Sequence, residues 1–87
     1  MESTSKIFKG LSDPNRILIL NHIKNGEKCS CDISNELNIP SSTLAHHMKV
    51  LGESGLVNSR KEGKWNYYSI CREQCNKAID ILNVLNS

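Results

Sequence analysis

The chain has 87 residues, of which 38% are hydrophobic and 23% charged, so we expect one small folded domain over residues 1–87 and no global disorder. Its net charge of +2 does not by itself indicate a nucleic-acid partner, but the charge is unevenly distributed. Residues 41–72 carry two acidic side chains and five basic ones, Lys49, Arg60, Lys61, Lys64 and Arg72, a concentration typical of a DNA-binding surface.

Two further classes of protein are excluded by the hydrophobic pattern. No apolar run approaches the roughly 20 residues of a membrane span, and the first residues lack the apolar core of a secretory signal. The sequence therefore predicts a cytoplasmic protein with no membrane partner. In that reducing compartment the four cysteines are expected to be thiols or metal ligands rather than a disulfide framework.

Two helices are predicted before residue 26. Ile7, Phe8 and Leu11 form the apolar edge of a short helix, which must dock on something because so short a helix is unstable alone. Ser12-Asp13-Pro14 is a helix start, with a capping residue followed by proline at the first turn. The apolar run over residues 17–20 then predicts a buried helix that ends at Asn25-Gly26.

The stretch over residues 32–53 predicts a helix-turn-helix. Residues 38–40, Asn-Ile-Pro, break the first helix, and Ser41 or Ser42 can cap the second. At about 100° per residue, the apolar stripe of the second helix (Leu44, Met48 and Leu51) lies opposite Ser42, His46 and Lys49. A helix of this size with a polar outer face fits a DNA major groove.

Two extended runs follow, over residues 56–60 and 65–70, and together they predict a β-hairpin with Gly63 in its turn. Tyr68 and Ile70 are assigned to the core face, and the tip forms a basic wing. The fold class is therefore α+β and mainly α, a winged helix-turn-helix with about five helices and a two-stranded β-hairpin wing.

The final helix is predicted over residues 72–85, and it is apolar over much of its surface. Cys75, Ala78, Ile79 and Leu82 share one stripe, and Ile81, Val84 and Leu85 add a second apolar flank. A helix of this kind requires a partner, as does the first helix. A homodimer through the terminal helices satisfies both.

The predicted DNA contacts lie on the second reading helix and on the wing. Ser42, Thr43 and His46 would reach base edges or phosphates of double-stranded DNA, and Lys49 its backbone, although a merely solvated face is the alternative. His47 lies at the edge of the apolar stripe, where packing is favoured over base reading. The full candidate set is Ser41, Ser42, Thr43, His46, His47, Lys49, Arg60, Lys61 and Lys64.

Three segments of the chain resemble the ArsR/SmtB family of winged-helix repressors. They are residues 8–16 (FKGLSDPNR), residues 42–51 (STLAHHMKVL) and residues 55–68, with GLV, RKEGK and YY. The resemblance implies a homodimeric DNA-binding repressor that releases operator DNA when an inducer, often a metal or metalloid ion, binds. No nucleophile–base arrangement or phosphate-binding loop suggests an enzyme, and no organic cofactor is expected.

The run Cys29-Ser30-Cys31-Asp32-Ile33 resembles that family's metalloid-binding box. Thiolates are soft ligands suited to As(III), which is favoured, or to Cd(II) or Zn(II). Joint binding requires Cys29 to lie outside the helix that contains Cys31, since residues two apart in a helix diverge. Arsenite-sensing members place a third cysteine where this chain has Ser34, and residues 1–5 contain no cysteine that could replace it.

The missing ligand could be Cys71 or Cys75 of either protomer, or a small-molecule thiol. Cys71 and Cys75 share a helix face, but that face is apolar and packing is the favoured interpretation. Two alternative functions remain open. The chain could be a DNA-binding repressor that senses oxidation or senses nothing, or a small interaction domain held together by zinc through its four cysteines.

Overall fold

The computed structural model describes the backbone of residues 2–87 and the side chains from residue 4 onward. Five helices and three strands follow one another in the order α1 (Glu2–Gly10), α2 (Pro14–Ile23), β1 (Lys28–Cys29), α3 (Ser30–Leu37), α4 (Ser41–Ser54), β2 (Val57–Glu62), β3 (Trp65–Ile70) and α5 (Arg72–Leu85). The winged helix-turn-helix is confirmed, with α3 and α4 as the helix-turn-helix and β2–β3 as the wing.

The wing belongs to a three-stranded antiparallel sheet in the order β1-β3-β2. Strands β2 and β3 pair from Val57 opposite Ile70 to Glu62 opposite Trp65, and β1 adds Cys29 opposite Tyr67 on the other edge. The predicted two-stranded hairpin wing is confirmed, and β1 is an additional strand that the sequence did not predict. A two-residue strand is too short to show an alternating pattern, so β1 leaves no periodic signal in the sequence.

A single hydrophobic core joins all five helices to the sheet. Its buried members are Ile7, Ile19, Ile23, Ile33, Ile39, Leu44, Met48, Leu51, Leu56, Val57 and Ala78. Tyr68 and Ile70 pack against this core, as predicted, while Trp65 remains 46% exposed. The core therefore fixes the positions of α4 and of the wing relative to one another.

Helix α2 begins as the sequence predicts but is less buried. Asp13 is its N-cap, and its side chain accepts a hydrogen bond of 2.8 Å from the backbone N–H of Asn15. This bond lowers the pKa of the Asp13 carboxyl. The predicted buried helix is buried on one face only, because Ile17 and Leu18 are 46% and 52% exposed whereas Ile19 and Ile23 are buried.

The turn between α3 and α4 is held by its backbone. Asn38 adopts a left-handed conformation with φ of 55°, and the Ser34 carbonyl accepts bonds from the N–H groups of Asn38 and Ile39. The Ser34 hydroxyl donates to the Ile39 carbonyl at 2.6 Å. Pro40, and not a serine, is the N-cap of α4, and no side chain among the described residues caps this helix.

Helix α5 presents an uncovered apolar face. Ile79, Leu82, Val84 and Leu85 are 53–78% exposed, whereas Ala78 packs into the core. This is the face that the sequence assigned to a partner. None of the described helices combines the length and the apolar character that crossing a membrane requires.

Candidate nucleic-acid interface and thiol pair

Helix α4 carries a polar outer face over an apolar inner one. Leu44, Met48 and Leu51 are buried. The exposed residues over the same part of the helix are Ser41, Ser42, Thr43, Ala45, His46 and Lys49. Ser42, His46 and Lys49 are exposed, as their angle around the helix axis predicts. The uncapped backbone N–H groups of the first turn add a partial positive charge to this face, which suits a phosphate.

His47 lies inside the protein and not on this face. It is 6% exposed, and its Nδ1 lies 3.2 Å from Nη1 of Arg16, which is itself 8% exposed. We therefore remove His47 from the set of DNA contacts, because its ring is covered on the inner side of α4. This placement agrees with the packing role that its position at the edge of the apolar stripe favoured.

Arg16 is a structural residue that the sequence interpretation missed. Its Nε donates to the Gly10 carbonyl at 3.1 Å and its Nη2 to the Lys9 carbonyl at 3.0 Å. One guanidinium therefore joins the C-terminal end of α1 to the inner face of α4. The available signal was its spacing, since Arg16 precedes the buried Ile19 and Ile23 by three and seven residues on one side of α2.

The basic residues of the wing differ in whether they are bonded to other residues of the protein. Lys61 and Lys64 are exposed at the tip beside Gly63, whose φ is 60°, and the Lys64 ammonium lies 5.4 Å from the centre of the Trp65 ring. Both lysines are free to meet phosphates.

Arg60, in contrast, is engaged within the protein. It donates to both carboxylate oxygens of Glu27 at 2.7 and 2.8 Å and to Glu62 at 2.7 Å, and it lies over the Tyr67 ring. The bidentate contact lowers the pKa of Glu27 and raises that of Arg60. Arg60 therefore connects the wing to the loop before β1, and its predicted DNA contact would require these bonds to open.

Cys29 and Cys31 form a close pair of thiols at the start of α3. Cys29 ends β1 and is the N-cap of α3, while Cys31 lies in the first turn, so that the two Sγ atoms are 2.9 Å apart. Cys29 lies outside the helix, as joint binding of one ion requires. Cys29 is buried and Cys31 is exposed.

The contact between the two thiols shifts their pKa values in opposite directions. The hydrogen bond from Cys31 lowers the pKa of Cys29, and backbone N–H groups of Cys31 and Asp32 add to this effect. The same hydrogen bond raises the pKa of Cys31. The sulfur with the lowered pKa is thus the buried one, and two thiols this close are soft donors suited to a soft cation.

The donor set fits a thiophilic ion but is incomplete. Bonds of about 2.3 Å at a tetrahedral angle hold two sulfurs about 3.8 Å apart, so the pair would have to separate by about 0.9 Å. In the part of the chain that the structure describes, no three His, Cys, Asp or Glu side chains lie close enough together to hold an ion. Two sulfur ligands are present, and any others must come from outside this cluster.

Cys71 and Cys75 lie away from this pair. Cys71 is the N-cap of α5, and its backbone N–H donates to the Leu56 carbonyl at 2.8 Å. Cys75 packs against the core, and burial raises its pKa. Tyr67 is the strand partner of Cys29, and Cys71 follows Tyr67 by four residues, or about 13 Å of extended chain. The structure does not bring the four cysteines together, which removes the zinc-held domain from consideration.

A cavity of about 190 Å³ opens beside the thiol pair, between α3, α4 and β3. It is lined by Ser30, Cys31, Ser34, Ser41, Leu44, Ala45, Met48, Asn66 and Tyr68. The exposed residues Cys31 of α3 and Ser41 of α4 thus line the same cavity. The sequence interpretation missed this cavity, since its residues come from three separate elements.

The outward-facing polar helix and the basic hairpin define a winged helix-turn-helix protein of the DNA-binding class. The family model described as "Bacterial regulatory protein, arsR family" matches residues 13–59. The chain belongs to this family, and it is accordingly a transcriptional repressor and not an enzyme.

Three relatives illustrate the range of the family. An HTH-type transcriptional regulator of Methanocaldococcus jannaschii is 39% identical, with 97% of this chain and 96% of that one covered. The arsenical resistance operon repressor of Staphylococcus xylosus is 40% identical, with 91% and 79% covered. The cadmium resistance regulatory protein CadC of Listeria innocua is also 40% identical, with 95% and 66% covered.

The fold is shared with solved structures of the same type. The solution structure of a homodimeric winged helix-turn-helix DNA-binding domain from Mycobacterium bovis, a candidate ArsR-family regulator, superposes with a TM-score of 0.80. It is 23% identical, and the match covers 98% of this chain and 80% of that one.

Proposed function

We propose that this repressor binds operator DNA as a homodimer in the cytoplasm and releases it when a thiophilic ion binds Cys29 and Cys31. As(III) is the favoured inducer, with Cd(II) or Zn(II) as further candidates. The observation that carries this proposal is the 2.9 Å approach of the two sulfurs at the start of the helix-turn-helix. The names of the arsenical and cadmium resistance relatives support the same chemistry.

The DNA-reading half of the proposal rests on exposure and charge. Ser42, Thr43 and His46 would contact base edges or phosphates, and Lys49 would hold the backbone from the same face of α4. Ser41 would join them at the N-terminus of the helix. Lys61 and Lys64 of the wing would contact phosphates or the adjacent minor groove.

The dimer is supported by the apolar face of α5. Leu82 and Leu85 are more than half exposed, and burying one such side chain contributes about 1.5–3 kcal/mol. A two-fold axis beside α5 would pair this face with its copy. Two copies of α4 could then enter major grooves about 34 Å apart on one side of the duplex.

The sensing half depends on where the sulfurs are attached. Cys29 is held in the sheet by its pairing with Tyr67, while Cys31 is part of α3. Where the backbone takes up part of the separation of about 0.9 Å that an ion requires, the start of α3 moves relative to the wing. DNA affinity falls if the ion-bound protein favours an arrangement that fits the duplex less well.

A binding assay tests the proposal. The protein would select a duplex from a random-sequence pool, and its affinity for that labelled duplex would be measured by fluorescence anisotropy at one stated salt concentration. We expect arsenite to reduce the affinity at least tenfold. Cys29→Ser and Cys31→Ser should abolish the response, and Cys71→Ser should retain it as the matched control.

Oxidation is the second candidate signal, because two thiols this close could also form a disulfide. Hydrogen peroxide would be a separate arm of the same assay. A response to peroxide with none to arsenite, Cd(II) or Zn(II) would replace the proposed inducer. If none of these reagents changes the affinity for DNA, the proposed sensing function is wrong and the proposed DNA binding is unaffected.

A further inference from the structure

Arg60 is bonded on the face of the wing that points away from α4. It is the strand partner of Tyr67, and its guanidinium lies 4.5 Å from the centre of the Tyr67 ring. Neighbouring residues of a strand point to opposite faces of the sheet, so Lys61 and its strand partner Asn66 lie on the other face. Asn66 lines a cavity together with Ser41 of α4. The face of the wing that borders α4 therefore carries Lys61 and not Arg60.

The positive charge of Arg60 is already balanced by carboxylates. Its guanidinium donates to both oxygens of Glu27 at 2.7 and 2.8 Å and to Glu62 at 2.7 Å. One positive charge thus lies between two negative ones, and a DNA phosphate brought to Arg60 would meet both carboxylates. The positive charge that the wing can offer to phosphates is therefore that of Lys61 and Lys64 at its tip.

The contact with Glu27 lies where the sheet narrows. Strand β1 pairs with β3 at Tyr68 and Tyr67, and over residues 61–66 the wing is a hairpin of β2 and β3. Because a hairpin of two strands is only marginally stable, its direction relative to the rest of the sheet is weakly held. Glu27 directly precedes β1 and is 33 positions from Arg60. The pair therefore attaches the base of this hairpin to the segment that leads into the helix-turn-helix.

We propose that Arg60 is a positioning residue for the wing. Held by Glu27, it sets the direction in which Lys61 and Lys64 project, and it makes no contact with DNA itself. The inference rests on the proposed DNA contacts of these two lysines, and it replaces the expectation that Arg60 makes a third. A wing already held in its binding orientation loses less conformational freedom when DNA binds, so the contact between Arg60 and Glu27 should raise the affinity for DNA.

A DNA contact and a positioning role predict different dependences on salt. A side chain that binds a phosphate displaces counterions, so its removal reduces the slope of log affinity against log salt. A side chain that only positions the wing lowers the affinity when removed and leaves this slope unchanged. The two roles also differ for Glu27. If Arg60 bound DNA, Glu27 would compete with the phosphate, and weakening its contact with Arg60 would raise the affinity.

Three variants and one reference separate the two roles. Arg60→Gln removes the charge of the guanidinium. Glu27→Asp keeps the net charge of the protein but shortens the side chain by one methylene group, so the bidentate contact is lost. The third variant combines both substitutions, and Lys64→Ala is the reference for a lost phosphate contact. Affinity for the duplex selected from the random-sequence pool would be measured by fluorescence anisotropy over a series of stated salt concentrations.

The single variants should behave alike. We expect Arg60→Gln and Glu27→Asp each to weaken DNA binding about two- to fivefold, the range for a well-formed exposed ion pair. Neither should change the salt slope, which Lys64→Ala should reduce. The double variant should bind within about twofold of either single variant, because both substitutions remove the same contact.

Motion of the wing gives a second readout that needs no DNA. Relaxation of the backbone amides measured by NMR reports motion on the picosecond to nanosecond timescale. Both single variants should lower the order parameters of residues 61–64. The order parameters of α4 should stay unchanged, which serves as the internal control for an intact fold.

Three results would overturn the inference. The first is a reduction of the salt slope by Arg60→Gln as large as that caused by Lys64→Ala. The second is an increase in DNA affinity on Glu27→Asp. The third is DNA binding that neither single variant weakens.

Failure of the inference is distinguishable from failure of the proposed function. If Lys64→Ala and Arg60→Gln both reduce the salt slope, the wing contacts DNA and only the role assigned to Arg60 is wrong. If neither Lys61→Ala nor Lys64→Ala changes the slope, the proposed wing contacts are wrong and the inference falls with them.

Discussion

Replacing Arg16 by methionine should destabilise the protein strongly although Arg16 touches neither DNA nor the thiol pair. Methionine keeps much of the side chain's apolar length but removes three hydrogen-bond donors. The acceptors left behind are the Gly10 carbonyl and His47 Nδ1 in buried positions, and the Lys9 carbonyl in a partly buried one. Water can reach only the last of these readily.

The magnitude follows from the two buried acceptors. Leaving a buried polar group without its partner costs about 1–3 kcal/mol, so the expected loss is about 2–6 kcal/mol in the free energy of unfolding. For a domain of this size, 1 kcal/mol shifts the melting temperature by about 4–8 °C. A fall of at least about 8 °C is therefore expected for Arg16→Met.

Thermal and urea unfolding followed by circular dichroism would measure this loss, at one protein concentration because a dimer's stability depends on it. Arg72→Met is the matched control, since Arg72 is exposed and makes one bond of 3.2 Å to the Lys24 carbonyl. It should change stability by about 0.5 kcal/mol or less. A loss below 1 kcal/mol for Arg16→Met would refute the buried link between α1 and α4.

Three further predictions concern the wing, the pH dependence of stability and the dimer. Lys64→Ala should weaken binding to all DNA sequences about equally and reduce the slope of log affinity against log salt by roughly 1, measured by anisotropy; an unchanged slope removes Lys64 from the interface. Because Arg60 holds the pKa of Glu27 below its ordinary 4.5, the stability from this contact is fully present above pH 4.5 and lost as the pH falls through the lowered value. Glu27→Gln should therefore destabilise at pH 7 more than at pH 3 in urea unfolding, and equal losses would contradict this. Leu82→Glu should raise the dissociation constant of the dimer at least tenfold, measured by analytical ultracentrifugation. Lys77→Ala, on the polar side of α5, is the control and should change neither this dissociation constant nor the dependence of DNA affinity on salt.

The sequence predicted those elements whose signals are periodic or local. The stripe of Leu44, Met48 and Leu51 located the inner face of α4, and Asp13-Pro14 located the start of α2. Gly63 marked the turn of the wing. In each case a few neighbouring residues contain the whole physical cause, so the local sequence is sufficient.

The remaining features depend on contacts between distant residues. Glu27 and Arg60 are 33 positions apart, and Arg16 and His47 are 31 apart, so neither pair has a local pattern. Ile17 was expected inside because its run is uniformly apolar, and only the packing of α2 shows which face is covered. The cavity beside Cys31 likewise arises from three elements meeting, which composition cannot reveal.

The two-residue strand β1 determines how the thiol pair is connected to the rest of the molecule. Its last residue, Cys29, is bonded into the same strand that forms the wing, and the next residue already belongs to α3. No flexible linker therefore separates the sulfurs from the wing and the helix-turn-helix. A widening of the gap between Cys29 and Cys31 beyond what rotation of the two side chains supplies must therefore change the angle between the hairpin and the helix pair, because no loop residue lies between β1 and α3.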